Sequence, residues 1–266
     1  VMRVLSAAPL VDGHNDLLIH FHACGEGCPR GVDGYDLASG AAGHTDIARW
    51  RRGGVGAQLL NAEFTDGDAP TLEGTLQGLA FVRGLVQRYR RDLVLARTAA
   101  DVRNASQDGA IAIIPTLENP GRLGRDAATV QRLGTEGVRA AILAYEGPTA
   151  LAHGHAGPSQ HGGLSPLGRD MVGWMEDAGI LVDLSHASAD TMRDVLDIAR
   201  APVLFSHSNA AALAGLPLRA YMRPRSSTSL STLRLVPSRG PVRLLFVLEP
   251  DDRRRRADPH GGARGG

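Results

Sequence analysis

Ile111-Ala112-Ile113-Ile114-Pro115-Thr116-Leu117-Glu118 is an aliphatic run that stops on a carboxylate. Two later stretches repeat the form with imidazoles: Ile180 to Ser185 leads to His186, and Val203 to Ser206 leads to His207. Each reads as a strand with a polar residue at its carboxyl end. Up to about Asn209 the chain alternates such runs with longer segments of helical character, the signature of repeated βα units on a parallel sheet. Strands are expected over 10–16, 55–64, 110–118, 137–145, 179–186 and 201–207. Helices are expected between them, over 45–52, 71–90, 99–107, 126–136, 166–178 and 188–199. Ser165 before Pro166 is a good helix start, with the hydroxyl as cap and proline in the first turn, and Gly179 is a matching stop. The Gly-, His- and Pro-rich loop 146–163 is too long for a minimal connection and reads as the rim of a site.

The 266 residues match the usual length of a single eight-stranded α/β barrel. With 43% apolar and 21% charged residues the chain reads as soluble and globular. Aromatics are 4% and glycines number 33, so packing rests on Ala, Val, Leu and Ile, with many turns set by glycine. No apolar stretch approaches the roughly eighteen residues needed to cross a bilayer, and Val1 to Val11 lacks the pattern of a secretory leader; a cytoplasmic location and no membrane partner are expected. Cys24 and Cys28 lie in a glycine-rich loop with no second pair to complete a zinc site, which excludes a disulfide framework and reads as two free thiols.

All 29 basic residues are arginine, and they are unevenly placed. Residues 217–266 hold 11 arginines against four acids, so a mildly acidic body, 1–216, precedes a basic, irregular tail in which only 241–250 reads as a further strand. No nucleic-acid reading module accompanies the tail, and no nucleic-acid partner is expected.

Chemistry collects first in Asp12-Gly13-His14-Asn15-Asp16. On an extended strand, side chains two apart share a face, so Asp12, His14 and Asp16 project together, and an imidazole beside a carboxylate is half of a zinc site. Alone, such a triplet is more often a capped turn or a salt-linked surface. Glu118, His186 and His207 change the balance, because in a parallel barrel the carboxyl ends of the strands converge on one mouth. A buried carboxylate or imidazole there must be paired, hydrogen-bonded or metal-bound. Three histidines and two carboxylates suffice for two zinc ions if one carboxylate bridges them.

The segments Pro9 to Leu17, Gly53 to Gln58, Gly163 to Arg169, Leu181 to His186 and Arg200 to Ser208 resemble the membrane dipeptidase (renal dipeptidase) family, zinc metallopeptidases of amidohydrolase-like barrel fold. The resemblance runs from about Pro9 to Pro217. It implies a (β/α)8 TIM-barrel-like α/β fold, incomplete or irregular at its C-terminal strands, with a metallo-dependent hydrolase barrel domain at 1–216 and an Arg-rich tail at 217–266. It further implies that His14 and Asp16 hold one Zn2+, that His186 and His207 hold a second, and that Glu118, followed here by Asn119 and Pro120 where the family more often has glycines, bridges both. Tyr145 stands where the family has a substrate-contacting histidine; a phenol donates a hydrogen bond to an oxyanion but is no acid–base group at neutral pH. The family's arginine for the substrate carboxylate aligns with Leu218, and the adjacent Arg219 is assigned that role. The family's final aspartate has no counterpart from Leu218 onward, although Asp251 and Asp252 follow a strand-like run.

The expected activity is zinc-dependent hydrolysis of dipeptides. Two alternatives stand beside it: a metal-binding relative without turnover, and a different binuclear amidohydrolase acting on lactones or cyclic amides. An incomplete barrel exposes the edges of its first and sixth strands, which favours association, and a homodimer is expected.

Overall fold

The computed structural model describes residues 10–22, 36–38, 44–63, 71–156 and 162–208. In chain order these residues form β1 (Leu10–Asp12), α1 (Leu17–His22), α2 (Ile47–Gly53), β2 (Val55–Asn61), α3 (Leu72–Arg88), β3 (Leu93–Leu95), α4 (Ala99–Gln107), β4 (Ile111–Leu117), a 3-10 turn (Pro120–Leu123), α5 (Ala127–Glu136), β5 (Ala140–Ile142), α6 (Pro166–Asp177), β6 (Leu181–Asp183) and α7 (Ala189–Ile198). The strands make one curled, wholly parallel sheet in the order β1-β2-β4-β5-β6, with β3 beside β4. Its helices pack on the outside, as in part of a (β/α)8 barrel.

β4 is the hub. One edge pairs with β2 from Ala57↔Ala112 to Asn61↔Thr116. The other edge is shared, first by β3 through Leu95↔Ile113 and then by β5 from Thr116↔Ala140. Pro115 falls at the handover: its carbonyl accepts from Arg139 N (3.0 Å) on that second edge, so the N–H it lacks belongs where β3 has ended and β5 has not begun.

Two layers of side chains explain the aliphatic strands. Leu60, Ile111, Ile113 and Leu117 face outward into a buried cluster with Leu79, Val82 and Leu85 of α3 and Val130 and Leu133 of α5. Leu59, Ala140 and Leu204 face inward with Val11 and Ile114. Ser165 caps α6 as the sequence predicts, accepting from Gly168 N at 3.0 Å, and Gly179 follows the helix at φ 70°. Asp46, Thr71, Thr98, Asp126 and Ser188 cap their helices in the same way.

The predicted strand over 201–207 reduces to bridge positions at Leu204 and Phe205; among the described residues Leu204 pairs parallel with Asp183, through Leu184 N→Leu204 O (2.8 Å) and Leu204 N→Val182 O (2.9 Å). Pro202 has no N–H to extend that ladder. β3 was not predicted, because three aliphatic residues between arginines carry no readable period. The tail 217–266, with its strand-like run 241–250, and the pair Cys24 and Cys28 lie outside the described residues. Among the described residues no helix is long and apolar enough to cross a membrane.

Helix glycines have opposite roles in this packing. α3 crosses β2 so closely that a Cβ on Gly78 would come 1.9 Å from Ala62 O, whereas one on Gly173 of α6 would meet only Arg200 Nη2 at 4.0 Å. Gly78→Ala is therefore expected to destabilise by about 1–3 kcal/mol through overpacking, and Gly173→Ala to stabilise by about 0.5–1 kcal/mol through helix propensity. Urea unfolding of the two variants checks this; shifts of the same sign would contradict the packing.

Candidate metal centre

β1 stops at Asp12, opposite Gln58, and the chain turns. Asp12 Oδ1 accepts from His14 N (3.3 Å), Asn15 O accepts from Asn61 N (3.0 Å), and Asp16 O accepts from Ile19 N (3.0 Å) as α1 begins. The expected strand over 10–16, with three side chains on one face, is thus corrected to a short strand and a turn. The turn still places His14 Nε2 3.1 Å from Asp16 Oδ2, while Asp12 bonds the backbone of the turn.

Glu118 lies one residue beyond β4, buried, and the other predicted residues gather around it. Oε2 is 3.3 Å from His14 Nε2; Oε1 is 3.1 Å from His186 Nε2 and 3.3 Å from His207 Nε2. The last two nitrogens are 2.7 Å apart. The His14 and His207 rings have centroids 4.1 Å apart. His14, Glu118 and His207 each offer a ligand atom within 4.8 Å of the others. Residues far apart in the chain therefore meet at one mouth, at the carboxyl ends of the strands.

The backbone around them is tightly specified. His186 has φ 64°, a left-handed conformation that costs a non-glycine residue roughly 1–3 kcal/mol and is characteristic of functional sites. Asp183 Oδ1 holds it in place by accepting from Ser185 N (3.0 Å) and Ser206 N (3.2 Å), one residue before each histidine. Ser185 Oγ accepts from His207 N (3.1 Å), and Ser206 Oγ lies 2.7 Å from His207 Nδ1, so the ring presents Nε2 to the mouth. Asn61 Nδ2 donates to Asp16 Oδ1 (2.9 Å), which leaves Oδ2 toward His14.

The electrostatics call for positive charge. Burial works against the imidazolium of His14, yet the carboxylates of Asp16 and Glu118 outweigh it and push its pKa up to about 10. Burial also opposes ionisation of Glu118, but the imidazoles of His14, His186 and His207 hold its carboxyl well below the usual range. Glu63 differs: burial dominates and pushes its pKa up to about 7, against bonds from the amides of Asn119 and Glu118 and the charge of Arg122.

Tyr145 stands beside the cluster, its ring stacked on His186 at 4.6 Å and 26°. His155, from the rim loop, lies 5.7 Å from the same ring and was passed over in the sequence. Arg219, Leu218, Asp251 and Asp252 lie outside the described residues.

A family model described as membrane dipeptidase (Peptidase family M19) matches residues 1–218. The chain belongs to the membrane dipeptidase family. Dipeptidase verJ of Clonostachys rogersoniana is 30% identical over 265 residues, covering 94% of this chain and 66% of its own length. Two solved structures share the fold. The probable dipeptidase PvdM from Pseudomonas aeruginosa matches with a TM-score of 0.67 at 22% identity, over 82% of this chain and 57% of its own. A metallo peptidase from Rhodobacter sphaeroides, liganded with a phosphinate mimic of the dipeptide L-Ala-D-Ala, matches with a TM-score of 0.66 at 23% identity, over 77% and 66%. The chain spans between 46% and 66% of the length of the curated family relatives it matches.

Within this member of the membrane dipeptidase family, sequence reasoning missed Asn61, Glu63, Asp183, Ser206 and His155. Asn61 and Glu63 carried the same signal that marked Glu118, a polar residue closing an aliphatic strand, and could have been found by it. Asp183 sits inside the aliphatic run of β6, and Ser206 inside the next, where nothing in the sequence separates a supporting residue from a packed one.

Proposed function

We propose that this chain is a zinc-dependent dipeptidase whose mouth holds two Zn2+ ions, His14 and Asp16 serving one, His186 and His207 the other, and Glu118 both. The observation that carries the reading is the convergence of three Nε2 atoms on the two oxygens of Glu118. The donors fit such ions: His14 Nε2 is buried without a properly directed hydrogen bond, and imidazole nitrogen with carboxylate oxygen is a ligand set zinc accepts. The relatives, a dipeptidase and a metallo peptidase bound to a dipeptide mimic, support the same reading.

When bound, two zinc ions held by these residues would lower the pKa of a coordinated water and polarise the scissile carbonyl. The chain's own residues orient the reactants. Asn61 and Ser206 fix the rotamers of Asp16 and His207. Tyr145, held against His186, donates its phenolic proton in a hydrogen bond to the substrate oxygen as negative charge develops. Arg219 pairs with the substrate carboxylate. On this reading 1–216 is the hydrolase domain, 217–266 an Arg-rich appendage, and the protein a cytoplasmic homodimer that engages neither nucleic acid nor membrane.

Tyr145 also favours a second reading, a relative that binds metal without turnover, because a phenol stacked on a ligand histidine carries no proton transfer at neutral pH. Metal analysis of the purified full chain, with a panel of dipeptides assayed beside lactones, separates the readings. Two equivalents of zinc with dipeptide hydrolysis are expected. Zinc without turnover of either class supports the second reading, lactone hydrolysis alone indicates the other amidohydrolase, and a chain that holds no zinc and gains no turnover when zinc is added contradicts the proposal. Glu118→Gln is expected to lose both metal and turnover; unchanged values would remove Glu118 from the bridging position. Ser206→Ala, which frees the His207 ring, is expected to weaken zinc about 10–100-fold in a chelator competition, and an unaltered affinity would show that the ring is held by other contacts.

A further inference from the structure

Glu63, two residues past β2, is 2% exposed, and its partner Arg122 is 4% exposed. Neither side chain belongs to the ligand set. Their placement follows from where the sheet ends. The β2–β4 ladder closes at Asn61↔Thr116 with one more bond, Ala62 N→Thr116 O (2.9 Å), and β5 reaches only Leu117. The amides of Glu118 and Asn119 have therefore left the ladder while still in or near the interior, where an unpaired N–H is costly. Glu63 Oε1 takes both, at 2.9 Å and 2.8 Å.

The carboxylate is fixed from behind. α3 lies against the backbone of Ala62, and Arg122 Nε faces Glu63 Oε2 at 3.4 Å. Arg122 comes from the 3-10 turn that begins directly after Asn119, whose own Oδ1 accepts from Gly121 N at 2.9 Å. Residues 118–122 thus form a loop whose two ends close on one carboxylate. The two amide bonds are the hydrogen bonds of this arrangement, and Arg122 adds an ion-pair contact. They set the peptide planes from which the Glu118 side chain projects toward His14, His186 and His207.

We propose that Glu63 is the positioning residue for Glu118, holding through two amide bonds the backbone that aims the bridging carboxylate into the mouth. The inference rests on the metal reading given above, and it assigns to Glu63 a function separate from its ion pair with Arg122. Two near-isosteric variants of the full chain divide these roles. Glu63→Gln and Glu63→Met both deprive Arg122 of its partner, but only glutamine keeps an oxygen that accepts from the two amides.

The probe is Co2+, read by its affinity in chelator competition and by its d–d absorption spectrum, with circular dichroism confirming the fold. Glu63→Gln is expected to bind Co2+ within about three-fold of the parent with the same spectrum. Glu63→Met is expected to bind at least about ten-fold more weakly, with an altered spectrum, the size seen when partners of metal ligands are removed. Equal affinities and spectra in the two variants overturn the inference while leaving the metal reading intact. A parent chain that takes up no Co2+ overturns both. Should the methionine chain not fold, Glu63→Asp takes its place with the same two outcomes, since it keeps the charge for Arg122 but draws the oxygens one methylene back from the amides.

Discussion

Glu118 carries a carboxylate into a buried mouth, where its oxygens lie 3.1–3.3 Å from imidazole nitrogens of three histidines. An anion in that setting is tolerated only with positive charge and fixed donors around it. Much of the local structure follows from that requirement. β4 occupies the centre of the sheet, which delivers Glu118 to the middle of the mouth; β1 and β6 and the bridge at Leu204 bring the histidines to it from either side. A left-handed histidine is accepted at 186 in a turn where Asp183 Oδ1 accepts from Ser185 N and Ser206 N.

The surrounding polar groups fall into a repeated pattern. Asp183 accepts from two amides that precede His186 and His207, and Glu63 accepts from the amides of Glu118 and Asn119. In each case a buried carboxylate that touches no ligand atom closes strand ends that the ladder no longer serves. The outward layer of Leu, Ile and Val against α3 and α5 supplies the stability on which these strained and charged ends can be carried.

The fold was legible wherever an aliphatic run was long or was closed by a distinctive residue. Ile111–Leu117 and Val55–Asn61 were read correctly because both faces of those strands are buried and their composition says so. Leu93–Leu95 escaped because three residues hold no period, and 201–207 was overstated because Pro202 interrupts the donors that a strand needs. In the site, the residues placed together by the structure are those that close aliphatic strands or lie in the Asp12–Asp16 turn. The roles of the supporting residues were not legible: Glu63 stood out by its place at a strand end, but whether it caps amides or meets solvent, and whether Ser206 faces a ring or a helix, depends on registers set by contacts far away in the chain. His14 and Asp16 were paired by reasoning from an extended strand, yet a turn pairs them, so the right neighbours came with the wrong backbone.

The proposed chemistry requires one spatial arrangement, in which two cations share the Glu118 carboxylate between two different pairs of side chains. Diffraction from crystals of the zinc-loaded protein, collected on both sides of the zinc absorption edge, addresses it without any assay. Two anomalous peaks are predicted, one against His14 and Asp16 and one against His186 and His207, with a Glu118 oxygen on each. A fully loaded crystal in which no peak touches Glu118, or in which zinc sits on other side chains altogether, would contradict it.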